Sequence, residues 1–133
     1  MSHVLIIDDD QRVLAANEAA LASGGYTTSA ASTADDARRA LLASTPDLVI
    51  VEPMVPGPYD GLGLVRQIAA DHPKLPIIVL THADEHLSAA LRVAQDRDGG
   101  WIPAQRYMEK PVNPEVVRDE VDHVLQELHG THS

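Results

Sequence analysis

The chain has 133 residues, enough for one domain, and its 44% hydrophobic and 23% charged residues are typical of a soluble globular protein. A net charge of −10 disfavours binding to nucleic acid or to an anionic membrane through bulk charge, and the lack of cysteine excludes a disulfide scaffold and a thiolate metal site. No apolar run reaches the ~20 residues of a membrane span and the start is not a signal peptide, so we expect a cytoplasmic protein.

Four short apolar runs predict β-strands, and three of these runs are almost continuously hydrophobic. Continuous rather than alternating hydrophobicity is typical of strands that are covered on both faces, as in a parallel sheet. A loop over residues 96–105, rich in turn formers, should lead into a short fifth strand around Tyr107 and Met108. The four runs are residues 4–7, residues 48–51, residues 77–80 and a weaker segment at Thr27 and Thr28.

Helical patterns alternate with these strands along the chain. They comprise a helix that ends at Gly24, a helix from the N-cap Thr33 to about Ser44, a helix that stops at His72, a helix over residues 85–95 and a helix from Pro114. Strands that alternate with helices predict an α/β fold, a doubly wound five-stranded parallel sheet with helices on both faces. We expect one domain over residues 1–129 and a frayed tail over residues 130–133.

Polar groups stand at the ends of the predicted strands. They are the acidic run at residues 8–10, Glu52, Thr81 and Lys110. The carboxyl ends of parallel strands meet at one cleft, so these side chains should lie close together. Neighbouring carboxylates repel each other and need a proton or a cation, and oxygen ligands at a hydrated site favour Mg²⁺. A hydroxyl and a lysine beside them are suited to holding a phosphoryl group.

The order and spacing of four segments carry a resemblance to a known family. The segments are VLIIDDD, PDLVIVEPMVPGPYDG, PIIVLTHAD and YMEKP. With them the chain resembles the receiver domain of bacterial two-component response regulators, from Val4 to about Leu128. The resemblance implies a five-stranded parallel sheet with five helices. It also implies that an aspartate accepts a phosphoryl group from a histidine kinase while Mg²⁺ neutralises the charge.

The resemblance assigns roles to individual residues. Asp8 and Asp9 match the acidic metal-binding pair, Thr81 the switch hydroxyl, Tyr107 the switch aromatic residue, and Lys110 the lysine of the phosphoryl pocket. Pro111 follows where the family often has a cis peptide bond. A Mg²⁺ site would therefore consist of Asp8, Asp9 and Glu52, and geometry decides whether the ion still binds.

The departures from the family pattern bear on function. Glu52 stands where the family has its phospho-accepting aspartate, and its extra methylene misplaces the attacking oxygen. Pro53 follows it directly, and the bulky His82 stands where the family usually has a small residue. The 29 residues from Thr81 to Lys110 are several more than expected, which places an addition near residues 99–101. We interpret the chain as an atypical receiver, or pseudo-receiver, that is not an enzyme and has lost ordinary aspartyl phosphorylation.

Two mechanisms fit a glutamate at this position. Glu52 either imitates the phosphorylated state by presenting charge to Thr81 and Lys110, or pairs with Lys110 in a fixed protein-binding module. The second is favoured, because one carboxylate has less charge and fewer acceptor oxygens than a phosphoryl group. An alternative keeps phosphorylation and uses Asp9 or Asp60 as acceptor. A further alternative is a small phosphatase of the haloacid-dehalogenase type.

The phosphatase alternative depends on Asp8 and Asp10 as nucleophile and acid/base. Arg12 argues against it, because that family's motif has Thr or Val at this place. The sequence shows no DNA-binding or catalytic segment after the receiver-like part, so we expect output through a protein partner or a homodimer. In the family the partner meets the fourth helix, fifth strand and fifth helix, which here include Arg92, Tyr107 and residues 112–127. Trp101 either anchors a partner or fills a local gap.

Overall fold

The computed structural model describes residues 2–58, 63–82 and 104–129, and these form a single five-stranded sheet with helices against it. The strands are β1 (His3–Ile7), β2 (Thr27–Ala31), β3 (Leu48–Val51), β4 (Ile77–His82) and β5 (Arg106–Lys110). All neighbours pair in parallel, in the order β2-β1-β3-β4-β5. The predicted doubly wound α/β fold is confirmed.

The helices of the described residues are α1 (Gln11–Ser23), α2 (Ala34–Ala43), α3 (Gly63–Asp71) and α4 (Pro114–His129). The predicted N-cap of α2 is confirmed, since the Thr33 hydroxyl accepts a hydrogen bond from the Asp36 backbone N–H at 3.1 Å. The helix predicted over residues 85–95, the addition near residues 99–101 and the tail at residues 130–133 lie outside the described residues.

The side chains of the continuous apolar runs pack into two hydrophobic cores, one on each face of the sheet. Leu5, Ile7, Val49 and Val51 point to a core that α2 and α3 complete, whereas the residues between them point to a core that α1 and α4 complete. Side chains alternate between the two faces of a strand, so a strand buried on both faces needs apolar residues throughout. The continuous hydrophobic pattern therefore indicates a sheet that is covered by a layer of helices on each face.

The strands at the two edges of the sheet are longer than predicted. β2 continues to Ala31 although its residues are small or polar, because it pairs with β1 over its whole length. The His3 ring contacts the Thr27 and Ser29 hydroxyls at 2.7 and 3.0 Å, which further ties β2 to β1. None of the helices in the described residues has the length and apolar character that crossing a membrane requires.

Candidate phosphoryl-type pocket at the strand ends

The sheet itself places the two buried acidic side chains of the site. The Asp8 backbone N–H donates to the Ala31 carbonyl at 2.9 Å, and the Glu52 backbone N–H donates to the Ile7 carbonyl at 2.8 Å. The hydrogen-bond ladder thus continues one residue beyond β1 and β3, and both side chains are held at the carboxyl edge. Asp8 is 2% exposed and Glu52 is 4% exposed, so both carboxylates are removed from bulk water.

Lys110 supplies the positive charge that these carboxylates require. Its Nζ lies 2.5 Å from Asp8 Oδ2 and 3.5 Å from Glu52 Oε1, and the lysine side chain is only 5% exposed. A buried carboxylate without a partner costs several kcal/mol, roughly 3–5 kcal/mol when one member of a buried pair is removed. The lysine therefore holds together the ends of β1, β3 and β5. It is bonded through a cis peptide to Pro111, as the resemblance implied.

Backbone N–H groups satisfy the remaining carboxylate oxygens. Asp8 Oδ1 accepts from the Asp10 N–H at 2.9 Å, and Glu52 Oε2 accepts from the Met54 N–H at 3.3 Å. These local contacts cannot be predicted from residue type, because they depend on the turn that each loop adopts. Each of the two side chains is consequently fixed by one backbone donor and by Lys110.

The two predicted switch residues, Thr81 and Tyr107, form no hydrogen bond to this group. Thr81 is 6% exposed, and Tyr107 is half-buried against the core formed with α2 and α3. Neither Thr81 Oγ1 nor the Tyr107 hydroxyl has a hydrogen-bond partner among the residues that the structure describes. Burial raises the pKa of Tyr107 to about 12, although the positive charge of Arg66 opposes part of that rise.

The predicted Mg²⁺ ligands do not converge as a metal site. Asp9 is exposed, and Asp10 is the N-cap of α1, where its carboxylate accepts from the Arg12 N–H at 2.9 Å. Within residues 2–58, 63–82 and 104–129, no group of three carboxylate or imidazole side chains could hold a metal ion. The arrangement of Asp8, Asp9 and Glu52 in this structure therefore does not fit Mg²⁺.

The loop after Glu52 is packed against the start of α2. Val55 is buried, and the Pro56 carbonyl accepts a hydrogen bond from the Ala34 N–H at 2.9 Å. A Cβ atom at Gly57 would stand 2.5 Å from the Ala34 Cβ, so only glycine permits this close approach. The packing contributes to the position of Glu52, and nothing in the sequence pattern pointed to it.

The order β2-β1-β3-β4-β5 is the flavodoxin-like doubly wound order and not that of the dinucleotide-binding fold, and carboxylates, a hydroxyl and a lysine stand at the carboxyl edge of this sheet. The family model described as "Response regulator receiver domain" matches residues 4–122, and the chain belongs to that family. The resemblance stated from the sequence is confirmed at this level, and receiver domains typically bind Mg²⁺.

Among characterised proteins, the DNA-binding transcriptional regulators NtrC of Escherichia coli K12 and of Klebsiella pneumoniae are each 40% identical over 65 residues. The match covers 48% of this chain and only 13% of those regulators' length. A CheY-like receiver from Methanospirillum hungatei superposes with a TM-score of 0.81, covers 98% of both chains and is 24% identical. The receiver domain of NtrX from Brucella abortus has a TM-score of 0.76 and 27% identity, over 92% of this chain and 98% of that one.

Proposed function

We propose that this domain acts in two-component-type signal transduction by binding a protein partner, without phosphorylation of an aspartate at the usual position and without catalysis of its own. The observation that carries this proposal is the environment of Glu52. It stands at the family's acceptor position and is 4% exposed. Its Oε2 accepts a hydrogen bond from the Met54 N–H, and its Oε1 contacts Lys110. An acceptor must instead hold one carboxylate oxygen in near-attack geometry, about 3–3.5 Å from the phosphorus atom, and the longer glutamate side chain directs both of its oxygens to donors.

The contacts favour the fixed pair over the phosphate mimic. A glutamate that imitates a phosphoryl group would have to reach the switch hydroxyl of Thr81 as well as Lys110. Thr81 Oγ1 has no hydrogen bond to Glu52, or to any other described residue, and the Tyr107 hydroxyl also has none. We therefore infer that Glu52 and Lys110 hold the pocket in one state, which suits a domain that binds constitutively.

A displaced acceptor is less well supported. Asp9 is exposed at the rim of the pocket, but Lys110 contacts Asp8 and Glu52 rather than Asp9. Asp60 lies outside the described residues. Asp10, which the phosphatase alternative needs as acid/base, caps α1. No contact among the described residues favours either alternative, and both stay predictions.

We place the partner on the face that includes β5 and the outward side of α4. Arg106 on β5 bonds to Glu120 at 3.1 Å and also to Glu127, so strand and helix form one surface. Val116, which is 45% exposed, stands one turn before Glu120 on α4. Tyr107, the residue of β5 after Arg106, packs instead against the core formed with α2 and α3, on the other face of the sheet. A homodimer through the same face would serve equally as the partner. Arg92 and Trp101 lie outside the described residues.

We do not propose that this domain binds DNA, although the NtrC relatives are described as DNA-binding regulators. The regulators that carry that description are matched over 13% of their length, and a net charge of −10 opposes contact with phosphate backbones. The cytoplasmic location likewise stays a prediction.

The test of this proposal is the amide NMR spectrum of Glu52→Gln, with Asp9→Asn as the control that removes one carboxylate charge at the rim. The fixed pair predicts that Glu52→Gln shifts only signals near Met54 and Lys110. Shifts that spread over Tyr107 and along α4, absent in Asp9→Asn, would show that the glutamate charge drives the switch and would overturn the proposal.

A further inference from the structure

The four carboxylate oxygens of Asp8 and Glu52 all have partners already. One oxygen of each accepts a backbone N–H, from Asp10 at 2.9 Å and from Met54 at 3.3 Å. The other oxygen of each faces the Lys110 ammonium, at 2.5 and 3.5 Å. A divalent cation that bridged these two side chains would have to stand where Nζ stands.

Charge and geometry disfavour an exchange of lysine for Mg²⁺. The ammonium and the ion would repel each other, and the lysine side chain, 5% exposed, would have to leave a position where both carboxylates contact it. Mg²⁺ also demands near-octahedral oxygen coordination and keeps several waters, which needs space between its ligands. The third predicted ligand, Asp9, is exposed, so only two of the three predicted ligands are buried.

We propose that Lys110 takes the place of the divalent cation in this pocket, so that the native domain keeps its acidic pocket closed without Mg²⁺. Like the proposed function, this proposal rests on the contact of Lys110 with Glu52. It concerns binding of the ion in the absence of any phosphodonor, so a domain that binds Mg²⁺ and still resists phosphorylation would overturn this inference alone.

The experiment uses Mn²⁺ as a paramagnetic probe and Mg²⁺ as the competing ion. Amide NMR spectra of the native chain are recorded with Mn²⁺, and melting temperatures are measured with MgCl₂ up to on the order of 10 mM against NaCl of equal ionic strength. We expect no selective broadening of the Asp8, Asp10 and Met54 signals, and no change in melting temperature beyond that of the NaCl series.

Removal of the lysine should create the ion site. In Lys110→Met we expect the same amides to broaden with Mn²⁺, the broadening to be reversed by Mg²⁺, and the melting temperature to rise by several degrees with MgCl₂. Lys74→Met, at an exposed lysine, should behave like the native chain. Selective broadening that Mg²⁺ reverses in the native chain would overturn the proposal, and this arm holds even where Lys110→Met does not fold.

Discussion

At the scale of single residues, Lys110 is the group on which the pocket depends most. Replacing it with Met keeps the apolar stem of the side chain but leaves Asp8 and Glu52 buried without a counter-charge. We expect Lys110→Met to lower the free energy of unfolding by roughly 3–5 kcal/mol, as for one partner of a buried pair. Urea unfolding measures this change. The control Lys74→Met, an exposed lysine, should change stability by less than about 0.5 kcal/mol. Equal effects of the two substitutions would contradict the account.

The Tyr107 hydroxyl predicts a stability change at alkaline pH. Burial raises its pKa from 10.0 to about 12, while Arg66 opposes part of the rise. Between these values the folded chain keeps the phenolic proton that the unfolded chain loses, so the tyrosine contribution is complete below pH 10.0 and is lost towards pH 12. The free energy of unfolding of the native chain should therefore fall, relative to Tyr107→Phe, as pH rises through this window. A difference that does not vary with pH would show that the phenol is not buried as described.

The same hydroxyl bears on stability at neutral pH. It has no hydrogen-bond partner in the described residues, so Tyr107→Phe removes an unsatisfied polar atom and breaks no bond. We expect the substitution to be neutral or stabilising near pH 7, by up to about 1 kcal/mol. Clear destabilisation in the same urea experiment would contradict this and indicate that the hydroxyl has a hydrogen-bond partner outside the described residues.

At the scale of the elements, the loop after β3 packs on α2 through Gly57. A Cβ atom there would stand 2.5 Å from the Ala34 Cβ, and Ala34 is itself 1% exposed. We expect Gly57→Ala to cost about 1–3 kcal/mol in the free energy of unfolding, as overpacking does. The double variant with Ala34→Gly should cost less than the sum of the single changes, because it removes the clash. Strict additivity in that cycle would contradict the contact.

The connection between β5 and α4 depends on Arg106. Its bonds to Glu120 and Glu127 are partly exposed, so we expect Arg106→Met to cost no more than about 1 kcal/mol and the cost to fall at high salt. The control is Arg39→Met, whose ion pair with Asp36 is more exposed, with side chains 78% and 51% accessible. Its effect should be smaller. A salt-independent cost at Arg106 would indicate packing of the side chain rather than charge.

Much of the whole molecule follows from the sequence, because the strands are buried on both faces. The runs at residues 4–7, 48–51 and 77–80 are confirmed, each lying within or matching a strand. The length of an edge strand is harder to predict from sequence. β2 has small or polar residues, and its extent depends on pairing with β1. In β4 the first N–H donates to the Gln105 side chain at 2.6 Å, a contact without any sequence signature.

The site shows the same division between what a pattern predicts and what it does not. Asp8, Glu52 and Lys110 could be predicted as neighbours, because parallel strands end at one edge of the sheet. The donor that each carboxylate oxygen faces could not be predicted, because it depends on small differences in the conformation of the loops. The Mg²⁺ set of Asp8, Asp9 and Glu52 illustrates this: the residue types suit the ion, but Asp9 is exposed and Lys110 contacts both Asp8 and Glu52.

Intact mass after incubation with acetyl phosphate and Mg²⁺ shows whether Glu52 can accept a phosphoryl group. We predict no added phosphoryl mass on the native chain and a single addition on Glu52→Asp. In that variant the shorter carboxylate loosens one contact of Lys110 and lets the ion compete. Phosphorylation of the native chain would contradict the account. Loss of the added mass in Glu52→Gln would then assign it to Glu52, and its persistence would assign it to a displaced acceptor such as Asp9 or Asp60.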